Sequence, residues 1–136
     1  MAQLSDEQAA FLRDNPYYAV LTTLRPDGSP HTTVVWVDVD DNGKPAINTA
    51  YGRAKQRHIQ NDPRVTLTVV NPANGYQWVG LNGRAQLVDE GADAQIDKLA
   101  KKYLDADTYP FRKADEKRVS VPITPDRIEA HGFDAE

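Results

Sequence analysis

The chain is 136 residues long, with 16 Lys and Arg against 20 Asp and Glu, a net charge of −4 and no cysteine. That length holds one domain with a real core and no room for a second, and the acidic balance argues against nucleic acid as the main partner, because a phosphate backbone calls for surplus cations. Without cysteine there are no disulfides, thiolate metal sites or redox thiols; with no apolar run near the ~20 residues of a membrane span, and an opening MAQLSDEQAA that lacks the basic and apolar parts of a secretion signal, a soluble cytoplasmic protein is expected.

Ser5-Asp6-Glu7-Gln8 has the spacing of a capping box and opens a short helix through Phe11 and Leu12 that closes before Pro16. Tyr18 to Leu24 is β-branched and apolar, and Arg25-Pro26-Asp27-Gly28 is a turn, with Pro presetting φ and Gly tolerating φ > 0. His31 to Val39 predicts one strand, turned at Asp40-Asp41-Asn42-Gly43 into a third strand from Lys44 to Thr49. A helical turn follows Gly52 and stops at Asn61-Asp62-Pro63. Next come a strand from Val65 to Val70, a loop over Asn71 to Gly75, and a long strand from Tyr76 to Val88. Ala92 to Leu104 places Ile96, Leu99, Ala100 and Tyr103 on one face, the pattern of an amphipathic cover helix. Tyr109-Pro110-Phe111 reads as a connection. Arg118 to Ile123 and Ile128 to His131 read as two closing strands separated by Thr124-Pro125-Asp126.

Six or seven strands joined by tight turns, with a few short helices, predict a mainly β chain: an antiparallel meander closed into a small barrel, one domain over residues 1–136. In the second strand Thr33, Val35, Val37 and Val39 share one face and Thr32, Val34, Trp36 and Asp38 the other. Both faces are largely apolar, so the outer one should meet a helix, a ligand or a second subunit, and dimerisation is the economical solution.

The motifs of dinucleotide binding, of the Walker phosphate loop, of zinc proteases and of serine hydrolases are all missing. His31, His58 and His131 sit in unrelated segments, which gives a metal site or hydrolase no support, and no catalytic residue is predicted. The stretch with the most chemistry is Asn48 to Val69. There a strand end runs through Gly52-Arg53-Ala54-Lys55 into a helix start, where unpaired N–H groups and the positive helix end can hold a phosphate. Arg53 and Lys55 are either a solvated basic loop or the anchor of that anion. Thr49 could add a hydroxyl; Arg57 is ambiguous and Arg64 reads as structural. Tyr76 and Trp78 share a face of the long strand, with Gln77 opposite and Gly80 and Gly83 beyond. They are either packing residues or an aromatic wall for a flat heterocycle, and Trp36 suits both purposes.

Together LTTLRPDGSPHTTVVW, INTAYGRAK, NDPRVTLTVV, YQWVGLNGRAQLV and KKYLDADTYPF closely resemble the split β-barrel flavin and deazaflavin oxidoreductases. This is the superfamily of pyridoxamine 5′-phosphate oxidase, and the nearest branch is its small actinobacterial members that use coenzyme F420. The resemblance runs from Leu4 to Ile128. It implies an FMN-binding split barrel type of fold, and a homodimer with its two cofactor sites in clefts between subunits. It further implies that Thr33, Val34, Val35 and Trp36 lie along a tricyclic ring and that Thr49, Arg53, Ala54 and Lys55 bind the phosphate. Gln77 and Trp78, with Tyr76, would help close the site, the aromatics from the partner. Vitamin B6 oxidases carry a C-terminal Arg-x-His pair whose spacing Arg127 and His131 do not reproduce, so pyridoxamine phosphate is not the expected substrate. Tyr51 stands where many deazaflavin members carry a charged residue. The activity implied is hydride transfer from reduced F420 to an electron-poor small molecule. FMN in the same cleft is the alternative cofactor, and a binding protein without turnover is the reading from another class.

Overall fold

The structure, a computed structural model, describes residues 2–133; Met1 and residues 134–136, the ends of the expected domain, lie outside the described residues. The capping box forms as read: the Ser5 hydroxyl accepts the Gln8 N–H, and the Gln8 side chain accepts the Ser5 N–H. It opens α1 (Asp6–Arg13), which buries Phe11 and Leu12. Seven strands follow, β1 (Ala19–Leu24), β2 (Pro30–Val35), β3 (Asp38–Val39), β4 (Pro45–Ala50), β5 (Arg64–Asn71), β6 (Asn74–Ala85) and β7 (Arg118–His131), with α2 (Ala54–Asn61) before β5 and α3 (Ala92–Leu104) before β7.

All pairings are antiparallel and the order across the sheet is β2-β1-β5-β6-β7-β4-β3. A flat sheet of seven strands would separate its edges by about 29 Å at the usual strand spacing. Yet edge strands β2 and β3 are joined only through Trp36 and Val37, three Cα steps that reach at most about 11 Å. The sheet must therefore curl until its edges nearly meet, and it stays open between them. The predicted strand from His31 to Val39 is thus two strands, broken at Trp36-Val37 where the chain steps across that opening.

Inside the curl lie Leu21, Val37, Ile47, Leu67, Val69, Val79, Val121 and Ile123. β5 shows why: Val65, Leu67 and Val69 face inward while Thr66, Thr68 and Val70 face out. α3 covers β4 and β7 with Ile96, Leu99 and Ala100 buried. The loop expected over Asn71 to Gly75 is instead a tight turn, with Asn71 already paired to Asn74. The two closing strands are one: β7 runs straight through Thr124-Pro125-Asp126, pairing with β4 in its first half and β6 in its second. A bulge at Asn82/Gly83 accommodates Pro125, and a Cβ on Gly83 would sit 2.2 Å from the Thr124 carbonyl oxygen, so only glycine fits.

Candidate functional site

Where the sheet opens, an open cleft of about 190 Å³ runs from the end of β2 to the start of α2. Val34, Val35 and Trp36 form one wall, Ile96 and Leu99 of α3 the apolar floor, and Arg53, Lys55 and Arg118 the cationic end. Tyr109 and Phe111 fold over from the connection between α3 and β7.

The aromatic wall is rigid because each ring is held by another. Trp36 stacks on Tyr103 with centroids 5.2 Å apart and planes 5° from parallel, and Tyr109 meets it edge-on at 6.1 Å. The Tyr103 hydroxyl donates to the Tyr17 carbonyl at 2.6 Å and accepts the Val37 N–H at 3.1 Å, so α3 grips the crossover that carries Trp36. Burial pushes the Tyr103 phenol up to about 12, which keeps this donor protonated. Asp97 pins the covering segment, accepting the Tyr109 N–H at 2.8 Å and the Arg112 guanidinium at 2.7 Å.

At the cationic end Gly52, at φ 93°, lets the chain turn sharply from β4 into α2. Arg53 is the N-cap of α2 but supplies no side-chain acceptor, so the amides of the first turn lack a partner from the cap. The Arg53 guanidinium donates to Glu116 at 3.1 Å. Arg118, almost fully buried, donates to the other Glu116 oxygen at 2.7 Å and to Asn48 at 2.9 Å, and lies 5.1 Å over the Tyr109 ring. Lys55 is half-buried and has no ion pair or hydrogen bond among the described residues. Burial, then the charges of Arg53 and Arg118, lower its pKa. An ammonium penalised in this way would gain from a bound anion, because no counter-charge reaches it among the described residues.

Of the residues singled out from sequence, Val34, Val35, Trp36, Arg53 and Lys55 line this cleft, with Ala54 between the two cations in the first turn of α2. Thr33 lies one step further down β2, paired with Leu21. Thr49 is fully buried on the opposite face of β4 from Asn48, and its hydroxyl finds no partner among the described residues. Gln77 and Trp78 are not in this cleft, since β1 and β5 separate their strand from β2. Gln77 accepts from Asn71 and donates to the Gly132 carbonyl, while Trp78 lies over Gly80 on the outer face of the sheet. Arg57 donates to the Gly52 carbonyl and Arg64 pairs with Asp62 at 2.8 Å. His31 and His58, far apart in sequence, meet edge-to-face at 5.0 Å, and His58 bonds Thr23 at 2.8 Å; burial is the first cause of its lowered pKa.

Sequence reading missed Asn48, Glu116, Arg118, Tyr109 and Phe111 as site residues. Asn48 directly precedes Thr49, so a one-residue error in strand phase hid it. Tyr109-Pro110-Phe111 carried a signal, two aromatics in an otherwise polar connection: Tyr109 packs edge-on against Trp36, while Phe111 stays 63% exposed at the rim of the cleft.

A curled antiparallel sheet, split between its edge strands and with an aromatic and cationic cleft at the opening, is the architecture of the split β-barrel class. The chain belongs to the pyridoxamine 5′-phosphate oxidase family, whose match spans residues 4–132. It is an oxidoreductase of that family. It is 32% identical over 129 residues to the F420H2-dependent biliverdin reductase of Mycobacterium tuberculosis (strain CDC 1551 / Oshkosh), covering 93% of this chain and 87% of that protein. The solved structure of an F420 reductase superposes with a TM-score of 0.76 at 27% identity, covering 88% of this chain and 94% of the other. General Stress Protein 26 from Bacillus anthracis str. Sterne shares the fold at 21% identity, with a TM-score of 0.70 and 92% of each chain covered. No helix among the described residues is long and apolar enough to cross a membrane.

Proposed function

We propose that this protein is an F420-dependent reductase that delivers a hydride to an electron-poor small molecule. The observation that carries the reading is Lys55: a half-buried ammonium with no counter-charge among the described residues, beside Arg53 and the first turn of α2, at the end of an aromatic cleft. The similarity to an F420H2-dependent reductase supports the deazaflavin over FMN. The residues fit such a group. Lys55, Arg53 and the amides of α2 would hold its phosphate, and Trp36, backed by Tyr103, would flank its ring.

When bound, the reduced deazaflavin would supply the hydride, a transfer that asks no nucleophile or acid pair of the chain. The chain itself contributes orientation and exclusion of water. Ile96 and Leu99 make a floor that offers no hydrogen bonds, so a flat ring is favoured there and bulk water is not. Asp97 and Arg112 hold Tyr109 and Phe111 over it. A cleft of about 190 Å³ is smaller than the ~300–1,000 Å³ of most ligand sites, so one chain supplies part of the enclosure. Val34, 67% exposed, belongs both to the cleft and to the outer face of β2, so a second copy docked on that face would complete the site.

Each charge-assisted contact is worth ~1.5–3 kcal/mol. Arg53→Ala with Lys55→Ala should therefore weaken cofactor binding by about a hundredfold or more. Titrating F420 and FMN separately into wild type and double variant, with tryptophan quenching as the signal, checks this; unchanged affinity removes the phosphate assignment. FMN ends in a phosphate that the same cations would hold, and tighter binding of FMN than of F420 would reassign the cofactor. Oxidation of reduced F420 by an acceptor, with biliverdin as the first probe, separates an enzyme from a protein that stores the cofactor.

A further inference from the structure

The cationic end of the cleft contains a carboxylate that phosphate binding does not call for. Glu116 is nearly buried, its side chain 8% exposed, and bridges two guanidinium groups, Arg53 at 3.1 Å and Arg118 at 2.7 Å. Burial opposes its charge, but the hydrogen bonds and charges of Arg118 and Arg53 together hold its carboxyl below the usual range, so it is ionised. Three cations, Arg53, Lys55 and Arg118, thus face an incoming anion with one of them neutralised from within, leaving two net positive charges. Arg118, itself only 3% exposed, also commits its Nε–H to Asn48.

We propose that Glu116 sets the charge selectivity of this site, narrowing the advantage that two net positive charges give the doubly charged terminal phosphate of FMN over the singly charged phosphodiester of a deazaflavin cofactor. The inference rests on the proposed function, whose cofactor it concerns. A phosphomonoester carries close to two negative charges at neutral pH and an internal phosphodiester one. A fixed carboxylate behind Arg53 repels both, and repels the dianion about twice as strongly, because the Coulomb energy scales with the product of the charges. Arg53 cannot turn fully to an incoming phosphate without loosening its contact to Glu116, which sharpens the same bias.

A pair of ligands with one ring isolates the effect: FMN, and FMN whose phosphate carries a single methyl ester and therefore one charge fewer. Equilibrium titrations of both, and of F420, are run on wild type, Glu116→Gln and Glu116→Asp. Wild type should bind FMN no more than about threefold more tightly than its methyl ester. Glu116→Gln should shift that ratio about tenfold toward FMN, a size expected for removing one fixed charge at close range in a partly exposed site. Glu116→Asp keeps the charge and should keep the wild-type ratio whatever it does to absolute affinity. An unchanged ratio in Glu116→Gln with F420 still bound overturns this inference and leaves the proposed function standing; so does a parallel loss of both ligands, which is what a purely structural role predicts. Failure of wild type to bind F420 or FMN overturns both. Should the glutamine variant not fold, a wild-type preference for FMN over its ester of about tenfold or more refutes the role, and a near-equal affinity supports it.

Discussion

Two half-buried lysines of this chain have their ammonium groups disfavoured first by burial, and they answer it differently. Lys55 faces further cations, Arg53 and Arg118, and has no hydrogen bond or ion pair among the described residues. Lys102 donates to the Leu12 and Val37 carbonyls at 2.8 and 2.6 Å, with Asp38 nearby, and tethers α3 to the crossover beside Trp36. Its pKa is pulled down to about 8 from 10.5. Between those values the unfolded chain binds more protons than the folded one, so stability rises with pH across the window and is lost again as pH falls through 8. The charged form costs up to about 3 kcal/mol near neutrality. Wild type should therefore gain urea resistance between pH 7.5 and 10, whereas Lys102→Met should not. Tyr103, raised to about 12 from 10, acts oppositely: its contribution is complete below pH 10 and disappears toward 12, which caps the gain. A wild-type profile parallel to the variant's would refute the assignment. That Arg53 and Lys55 share one end of a cleft was readable because their glycine turn and helix start are neighbours in sequence. Glu116 was not, because it reaches Arg53 from 63 residues away.

Among the elements, β7 shows how packing overrides a local stop signal. Thr124-Pro125-Asp126 has the composition of a turn, yet the strand continues because β7 itself bulges at Asp126, and Gly83 of β6 pairs with the proline. Proline needs no N–H acceptor there, and Gly83 leaves room for the Thr124 carbonyl. Gly83→Ala should force the two strands apart and cost about 3 kcal/mol or more, read as a lowered urea midpoint. Gly80→Ala, whose added Cβ would press on the Trp78 ring at 3.3 Å and touch the Thr68 hydroxyl at 3.6 Å, both side-chain atoms, should cost less. The β4 strand teaches the complementary lesson. Its existence was plain from sequence, but which of Asn48 and Thr49 faces the cleft depends on the phase of the pleat, and both faces of β4 are buried.

On the scale of the whole molecule, the outer face of β2, β1, β5 and β6 presents Val34, Val20, Val70 and Tyr76 to solvent. Val34 pairs with Val20, and Val70 with Trp78, with Thr68 beside Val20, so this face carries several exposed apolar side chains across four strands. The dimer proposed above would cover it. Light scattering at micromolar concentration should return twice the 15.1 kDa of one chain. Val20→Glu should split the pair and weaken cofactor binding, although Val20 does not line the cleft. A monomeric mass for wild type, or a monomeric variant with undiminished affinity, would count against a site completed by two copies.

Helix starts, hairpin turns, the alternation of β5 and the glycine turn before Arg53 could be read from residues alone, because each rests on contacts within a few positions along the chain. Trp36 as a break between strands, Asn48 as a cleft residue, and Tyr109, Phe111 and Arg118 as its cover emerged only on folding. They depend on the sheet curling back so that β7 lies beside β4 and α3 closes over both. Long-range closure of this sort leaves no periodic trace, since the residues it unites are chosen by the curvature of the whole sheet and not by their neighbours.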